Sequence, residues 1–196
     1  MRLLRSLLVL AACVFAAPAF AQSAVVDCSR AETSGERTLC HEVVVPASAA
    51  ELWPLWTTSA GVGTWLAPVA AVEARPGGVL ETSYDPDGRI GDPANIRNRI
   101  VAVAPERLLV IQVAHAPPNF PHAAEVARLA TLIEFEPVGE GATRVRVSML
   151  GYREGEAYEA LYHHFAWGNA WTLNKLVERV TSGPIDWRAE ANAASR

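Results

Sequence analysis

The stretch that most constrains this chain is residues 155–180, GEAYEALYHHFAWGNAWTLNKLVERV, which contains no proline and stops at Thr181-Ser182-Gly183-Pro184. Such an ending is a helix exit. At about 100° per residue, Tyr158, Tyr162, Phe165, Ala166, Asn169, Leu173, Leu176, Val177 and Val180 share one face. An amphipathic helix of this length needs a surface on which to bury that face. The rest of the chain reads mostly as short strands, so the expected arrangement is a sheet with one helix laid across it. Such a pairing can leave a cavity between the two layers.

The strands are punctuated by turn residues. Cys40–Pro46 (CHEVVVP) is β-branched and short, a first strand. Ser48-Ala-Ala-Glu51 is a capping-box pattern, followed at helical spacing by Leu52, Trp53, Leu55 and Trp56. Pro54 forfeits a backbone hydrogen bond there, so a short or kinked helix ending near Thr57-Thr58 is predicted. Ser59–Leu66 reads as a second short helix weakened by Gly61 and Gly63. Strands follow at Val69–Ala74, Val79–Tyr84, Asn95–Ala104 and Leu108–His115, separated by Arg75-Pro76-Gly77-Gly78, Asp85-Pro-Asp-Gly88 and Pro105-Glu106-Arg107. Ala116–Glu125 holds Pro117, Pro118 and Pro121 and cannot be the interior of a strand; it is an excursion at the mouth of the sheet or a short helix from Pro121. Arg128–Glu136 and Thr143–Leu150 form a hairpin. Turn-connected strands imply an antiparallel, strongly curved sheet.

The first residues carry a different message. Arg2 and Arg5 flank an apolar run, Leu3–Phe15, and Ala19-Phe20-Ala21 is a small-x-small cleavage pattern. This is a secretory signal peptide over 1–21, cleaved after Ala21, which implies a periplasmic or secreted protein. Its apolar core is too short for a membrane span, and Pro, Gly or charge interrupts every later apolar run, so no span is expected after processing. Cleavage lowers Lys+Arg from 17 to 15 against 21 acidic residues, moving the net charge from −4 to −6. With no basic run, nucleic acid is excluded as a partner and anionic membrane surfaces are unfavourable. The mature chain divides into a polar extension at 22–39, a domain at 40–182 and a tail at 183–196. Cys28 and Cys40 survive processing, and in an exported protein such a pair reads as a disulfide. Closing this loop stabilises the fold by about 3 kcal/mol in the chain-entropy model.

The order of elements is carried by particular residues: the Val-rich strand before Pro46-Ala47-Ser48; Leu52-Trp53 with Leu55-Trp56-Thr57; Gly61 followed by Trp65-Leu66-Ala67-Pro68; Arg75-Pro76-Gly77-Gly78; Pro105-Glu106-Arg107-Leu108; and Leu132-Ile133-Glu134-Phe135-Glu136-Pro137 with Gly141-Ala-Thr-Arg-Val145. Together, from about Glu42 to Val180, they resemble the START-like or Bet v 1-like (SRPBCC) superfamily, within it the branch similar to the activator of Hsp90 ATPase. The resemblance implies an α+β helix-grip fold: a curved antiparallel β-sheet, two short helices and one long C-terminal helix. It also implies lipid, hormone or polyketide binding, or cyclase and aromatase chemistry, in a cavity under the last helix. An exported chain does not meet a cytosolic Hsp90. The proline-rich 116–127 segment and Gly168-Asn169, where relatives often carry Gly-Trp, are further departures.

Several residues qualify as candidates for function. Asn169 interrupts the inward stripe beside Phe165, with the hydroxyls of Tyr158 and Tyr162 on the same face. It is either a polar contact for a ligand or an amide satisfied by backbone or water. Trp53, Trp56 and Trp65 are expected to divide between core and pocket rim. His164, Trp167 and Trp171 form a second stripe opposite the first, expected to be covered by the chain's own ends, through Ile185 and Trp187, or to bind a protein partner or second copy. Adjacent His163 and His164 point about 100° apart and cannot chelate one ion. Glu159 and His163 form an i,i+4 pair on the flank, expected to be solvated. Arg97 and Arg99 share a strand face, expected to be outward, from which an inward turn would let them grip an acidic head group. His115 is a gate or plain loop.

No GxSxG elbow, paired carboxylates, glycine-rich phosphate loop or metal-ligand set emerges, and nothing calls for a cofactor. The leading expectation is therefore a binder of a small hydrophobic molecule, with Tyr158, Tyr162, Phe165, Asn169 and Trp65 at the ligand. The alternatives are a cyclase or hydrolase using a tyrosine or His163 on an aromatic or polyketide-like substrate, and a protein-interaction module using the Trp167/Trp171 face.

Overall fold

The computed structural model describes residues 24–31, 33 and 35–194. The expected signal peptide over 1–21 and its cleavage point after Ala21 lie outside them. Nine strands form one antiparallel sheet: β1 (Val26–Asp27), β2 (Arg30–Ala31), β3 (Arg37–Val45), β4 (Val69–Val72), β5 (Val79–Ser83), β6 (Ile96–Ala104), β7 (Leu108–His115), β8 (Ala130–Gly139) and β9 (Ala142–Tyr152). Their order is β1-β3-β9-β8-β7-β6-β5-β4, with β2 also on β3. From β4 to β9 each strand pairs with its sequence neighbour, through short turns except at 84–95 and 116–129. The sheet is open and curved. Against it lies the 27-residue helix α4 (Glu156–Ser182), giving the helix-grip arrangement. The other helices are α1 (Ala49–Thr57), α2 (Ser59–Gly63), α3 (Ala123–Val126) and α5 (Trp187–Ala194).

Because β3 and β4 lie towards opposite edges of the sheet, α1 and α2 carry the chain from one side to the other across one end. Their sequence sets how tightly they do so. Ser48 Oγ accepts from the Glu51 amide at 3.3 Å, and the Ser48 amide donates to Glu51 Oε2 at 2.8 Å, which completes the capping box. Pro54 is accommodated inside a helix of only nine residues, and its carbonyl accepts from the Thr58 amide at 3.2 Å where that helix ends. A Cβ at Gly61 would lie 2.0 Å from that same Pro54 oxygen, so only glycine allows α2 to follow α1 so closely.

Alternation along the strands puts Leu80, Thr82, Ile96, Asn98, Ile100, Ile111, Ile133, Val147 and Met149 on the inner face. Two buried clusters form there. One surrounds Leu52, Trp56, Trp65, Phe135, Leu173 and Leu176 at the α1/α2 end. The other surrounds Leu39, Met149, Tyr152, Tyr158 and Leu161 at the start of α4. Helix α4 packs chiefly on β3 and β9, so β5, β6 and β7 rise beside it rather than beneath it.

Both ends of the described segment are fastened. Cys28 and Cys40 form the disulfide, with a Cα–Cα distance of 4.8 Å. It holds the short strands β1 and β2 against β3, where Val26 faces Glu42 and Arg30 faces Thr38. These strands are too short for sequence periodicity to reveal. After α4, the Ile185 amide donates to Thr64 O at 2.9 Å and Trp187 Nε1 to Gly63 O at 2.8 Å, docking the tail on α2. Among the described residues no helix is long and apolar enough to cross a membrane.

Candidate functional site

Where the sheet curls away from α4, between the two buried clusters, lies a cavity of about 500 Å³. Its floor is the inner face of β5–β9: Leu80, Thr82, Ile96, Asn98, Ile111, Val113, Thr131, Ile133, Val147 and Met149. Trp56 and Leu66 close the end formed by the short helices, and α4 supplies His164, Phe165, Trp167, Gly168, Asn169, Trp171 and Thr172. The mouth is aromatic. Tyr84 meets Trp171 edge-on at 6.4 Å, Trp167 stacks on Trp171 at 6.5 Å, and Phe120 meets His164 at 5.7 Å. Trp167 is 69% exposed and Tyr84 53%. The volume lies within the range of small-molecule sites, and an apolar lining with few polar groups is their usual character.

The candidate residues divide. Phe165 and Asn169 line the cavity. Asn169 is 8% exposed, and its Nδ2 has no hydrogen-bond partner among the described residues. Tyr158 and Tyr162 lie further towards the start of α4, outside the cavity lining, where the sheet closes onto the helix. Tyr158 is buried there with an unpartnered hydroxyl. Tyr162 meets Tyr152 edge-on at 5.1 Å and carries the Arg37 guanidinium 4.7 Å above its ring. Burial raises the Tyr152 phenol well above its ordinary value. Trp65 is fully buried, donating from Nε1 to Leu55 O at 2.8 Å and packing against Trp56 at 4.7 Å. The structure thus brings Phe165 and Asn169 together at the cavity and holds Tyr158, Tyr162 and Trp65 in the surrounding core.

The second stripe of α4 requires a correction. His164, Trp167 and Trp171 do not lie away from the cavity beneath the chain's tail; they form its mouth. A helical wheel measures angle from the buried face and assumes the sheet lies flat below it. Here the wall formed by β5 and the 116–120 segment stands beside the helix, so the flank borders the cavity while Trp167 stays largely exposed. Ile185 and Trp187 pack instead at the α1/α2 end.

The remaining candidates are placed elsewhere. Glu159 pairs with Arg37 at 2.8 Å rather than with His163, which is exposed. Arg99 lies on the outer face, donating to Gln112 Oε1 at 3.0 Å, while Asn98 takes the inner one. Arg97 shares the outer face. His115 Nε2 lies 2.9 Å from Pro93 O, tying the end of β7 to the loop before β6. That loop is held from the other side by Glu81, which accepts from the Gly91 amide and Asn95 Nδ2, each at 2.6 Å. No cluster of metal-ligating side chains occurs among the described residues.

Sequence reasoning missed the polar residues of the floor: Thr82, Asn98 and Thr131. A signal existed for Asn98, which stands between Ile96 and Ile100 in the inward phase of its strand. No comparable signal marked Tyr84, whose position depends on the wall it joins.

Residues 46–181 match the family model described as Activator of Hsp90 ATPase homolog 1-like protein. The chain belongs to this family. No curated protein matches this family member in sequence. Among solved structures, it is similar to the Aha1 dimer from Colwellia psychrerythraea at 18% identity and a TM-score of 0.58, covering 74% of this chain and 97% of that one. A Mesorhizobium loti protein is 21% identical with a TM-score of 0.55, over 72% of this chain and 95% of the other. CalU16 from Micromonospora echinospora is 14% identical with a TM-score of 0.56, over 88% and 91% respectively. At these identities the likeness concerns the fold alone.

Proposed function

We propose that this member of the Hsp90-activator-like family binds a small hydrophobic molecule between the sheet and α4, and does so outside the cytoplasm after loss of residues 1–21. The observation that carries this reading is the cavity itself. About 500 Å³ is left open in a core that elsewhere buries Leu52, Trp65, Leu173 and Leu176 completely. An apolar molecule seated there would exchange contact with water for dispersion contacts with that lining, and the aromatic mouth gives it a route in.

The test is native mass spectrometry and solvent extraction of protein recovered from its own compartment. A reproducible small-molecule adduct is expected. An adduct-free protein that also takes up no apolar probe would refute the reading.

A second reading, compatible with the first, concerns the mouth. Trp167 is largely exposed and stacked on Trp171, a surface on which another protein or a second copy of the chain gains by docking. The Colwellia relative is described as a dimer. Light scattering at increasing concentration is expected to show association weakened by Trp167→Ala; a strictly monomeric protein with no change in the variant excludes self-association.

A further inference from the structure

Resting on the proposal that the cavity is a binding site, we infer the class of its ligand: an uncharged aromatic molecule bearing a hydrogen-bonding oxygen.

Three features of the wall select it. The first is charge. No Asp, Glu, Lys or Arg lines the cavity. Cations near the lining are engaged by other groups: Arg146, beside Val147, with Glu42 at 2.8 Å; Arg99, beside Asn98, with Gln112 on the outer face; and Lys175, 5.9 Å over the Trp171 ring at the mouth, with Glu178 and Glu190 at 3.0 and 2.7 Å. An ionised head group drawn inside would lose water without gaining a counter-charge, and burial of an unpaired charge is among the costliest steps available to a complex.

The second feature is the placement of the amides. Asn98 rises from β6 in the floor and Asn169 hangs from α4 in the roof; both line the cavity and are 9% and 8% exposed. Asn169 Nδ2 lacks a partner among the described residues, an arrangement that buried amides avoid. Each amide carries both a donor and an acceptor, and rotation about its last bond exchanges them. A carbonyl or hydroxyl oxygen held between floor and roof satisfies the orphaned group. A pure hydrocarbon leaves it unpaired.

The third feature is shape. Trp56, Phe120, Phe165, Trp167, Trp171 and Tyr84 present rings around the cavity and its mouth. Flat apolar surfaces pack on rings in offset or edge-on geometry with a gain beyond area alone, which favours an aromatic body over a flexible chain.

Three probes on one flat skeleton test this with the full-length processed protein: 9-fluorenone, fluorene and fluorene-9-carboxylate, followed by tryptophan fluorescence and calorimetry. Fluorenone is expected to bind about three- to tenfold more tightly than fluorene, the range one neutral hydrogen bond supplies. It should exceed the carboxylate by roughly a hundredfold, because that charge finds no partner. Asn169→Leu should bring the ratio of fluorenone to fluorene affinity down to about one, whatever it does to fluorene alone, and Asn98→Leu should lower the same ratio. The wild-type comparison needs neither variant to fold.

Equal affinity for all three probes, or tighter binding of the carboxylate, overturns the inference while leaving the cavity a binding site. Fluorene binding without a gain for fluorenone does the same. If none of the three binds, the inference also fails, and the adduct experiment decides separately whether the binding reading survives.

Discussion

Gly168 gives the cavity its sharpest test, because replacing it should make the protein more stable. It stands in the middle of a 27-residue helix, where glycine is a poor choice. A Cβ built at this position meets no heavy atom within 4 Å. The usual objection to substituting a half-buried glycine, a clash, is therefore missing. Gly168→Ala should gain the full difference in helix propensity, about 0.8–1 kcal/mol. For a chain of this size that raises Tm by about 2–4 °C. The measurement is calorimetric unfolding of the variant beside the wild type, repeated by urea titration to confirm that the m-value is unchanged. Gly168→Phe extends the logic: its ring enters the open volume, so it should abolish uptake of an apolar probe while the protein stays folded. A Gly168→Ala variant that is less stable than the wild type would refute the reasoning, since it would mean that something already occupies the space over Gly168 and that the cavity is not open in solution.

Further predictions concern the scaffold. Reduction of Cys28–Cys40, or replacement of both by alanine, should cost up to about 3 kcal/mol and lower Tm by roughly 6–12 °C, read by calorimetry with and without reductant. Burial holds the His41 imidazole below its ordinary value of 6.5, against the opposing pull of Asp27. The unfolded chain therefore takes up this proton first; the stability contribution is fully present above the unfolded pKa and is lost as pH falls through the folded one. His41→Gln should accordingly lose less Tm than the wild type between neutral pH and pH ~5, and an identical pH slope would disprove the assignment. Leu173→Ala, at a fully buried site, should cost about 2–5 kcal/mol in urea unfolding. Phe165→Ala should cost less, because Phe165 already borders open space, and a larger loss there would argue against the cavity.

Much of this architecture is local and so was legible along the chain. The capping box at Ser48 and Glu51, the strand Leu108–His115, the proline-rich excursion and the long terminal helix each rest on neighbours within a few residues. The disulfide was expected from two cysteines following residues 1–21, which read as an export leader, and the Cys28–Cys40 bond is present. The antiparallel pairing of β4 with β5, β6 with β7 and β8 with β9 followed from their short turns, whereas the longer connections at 84–95 and 116–129 left the pairing of β5 with β6 and of β7 with β8 open.

The candidate site was legible only in part. Asn169 and Phe165 could be placed facing inward because helical periodicity is a property of the sequence. Whether an inward residue meets a cavity or a packed core is not. Tyr158, Tyr162 and Phe165 share a face of α4, yet the sheet closes on the first two and has drawn away at the third. Likewise, a stripe opposite the buried face becomes a cavity mouth once a wall rises beside the helix, as Tyr84 and Phe120 do beside Trp171 and His164.

The sequence by itself therefore determined the elements, their connections, the covalent staple and the inward phase of the long helix, all of which depend on spacing along one chain. Only the tertiary structure decided where sheet and helix part, and hence which inward residues line a cavity and which fill the core. Sheet curvature is the reason: it sums the twist of many strand pairs, and no single segment encodes it.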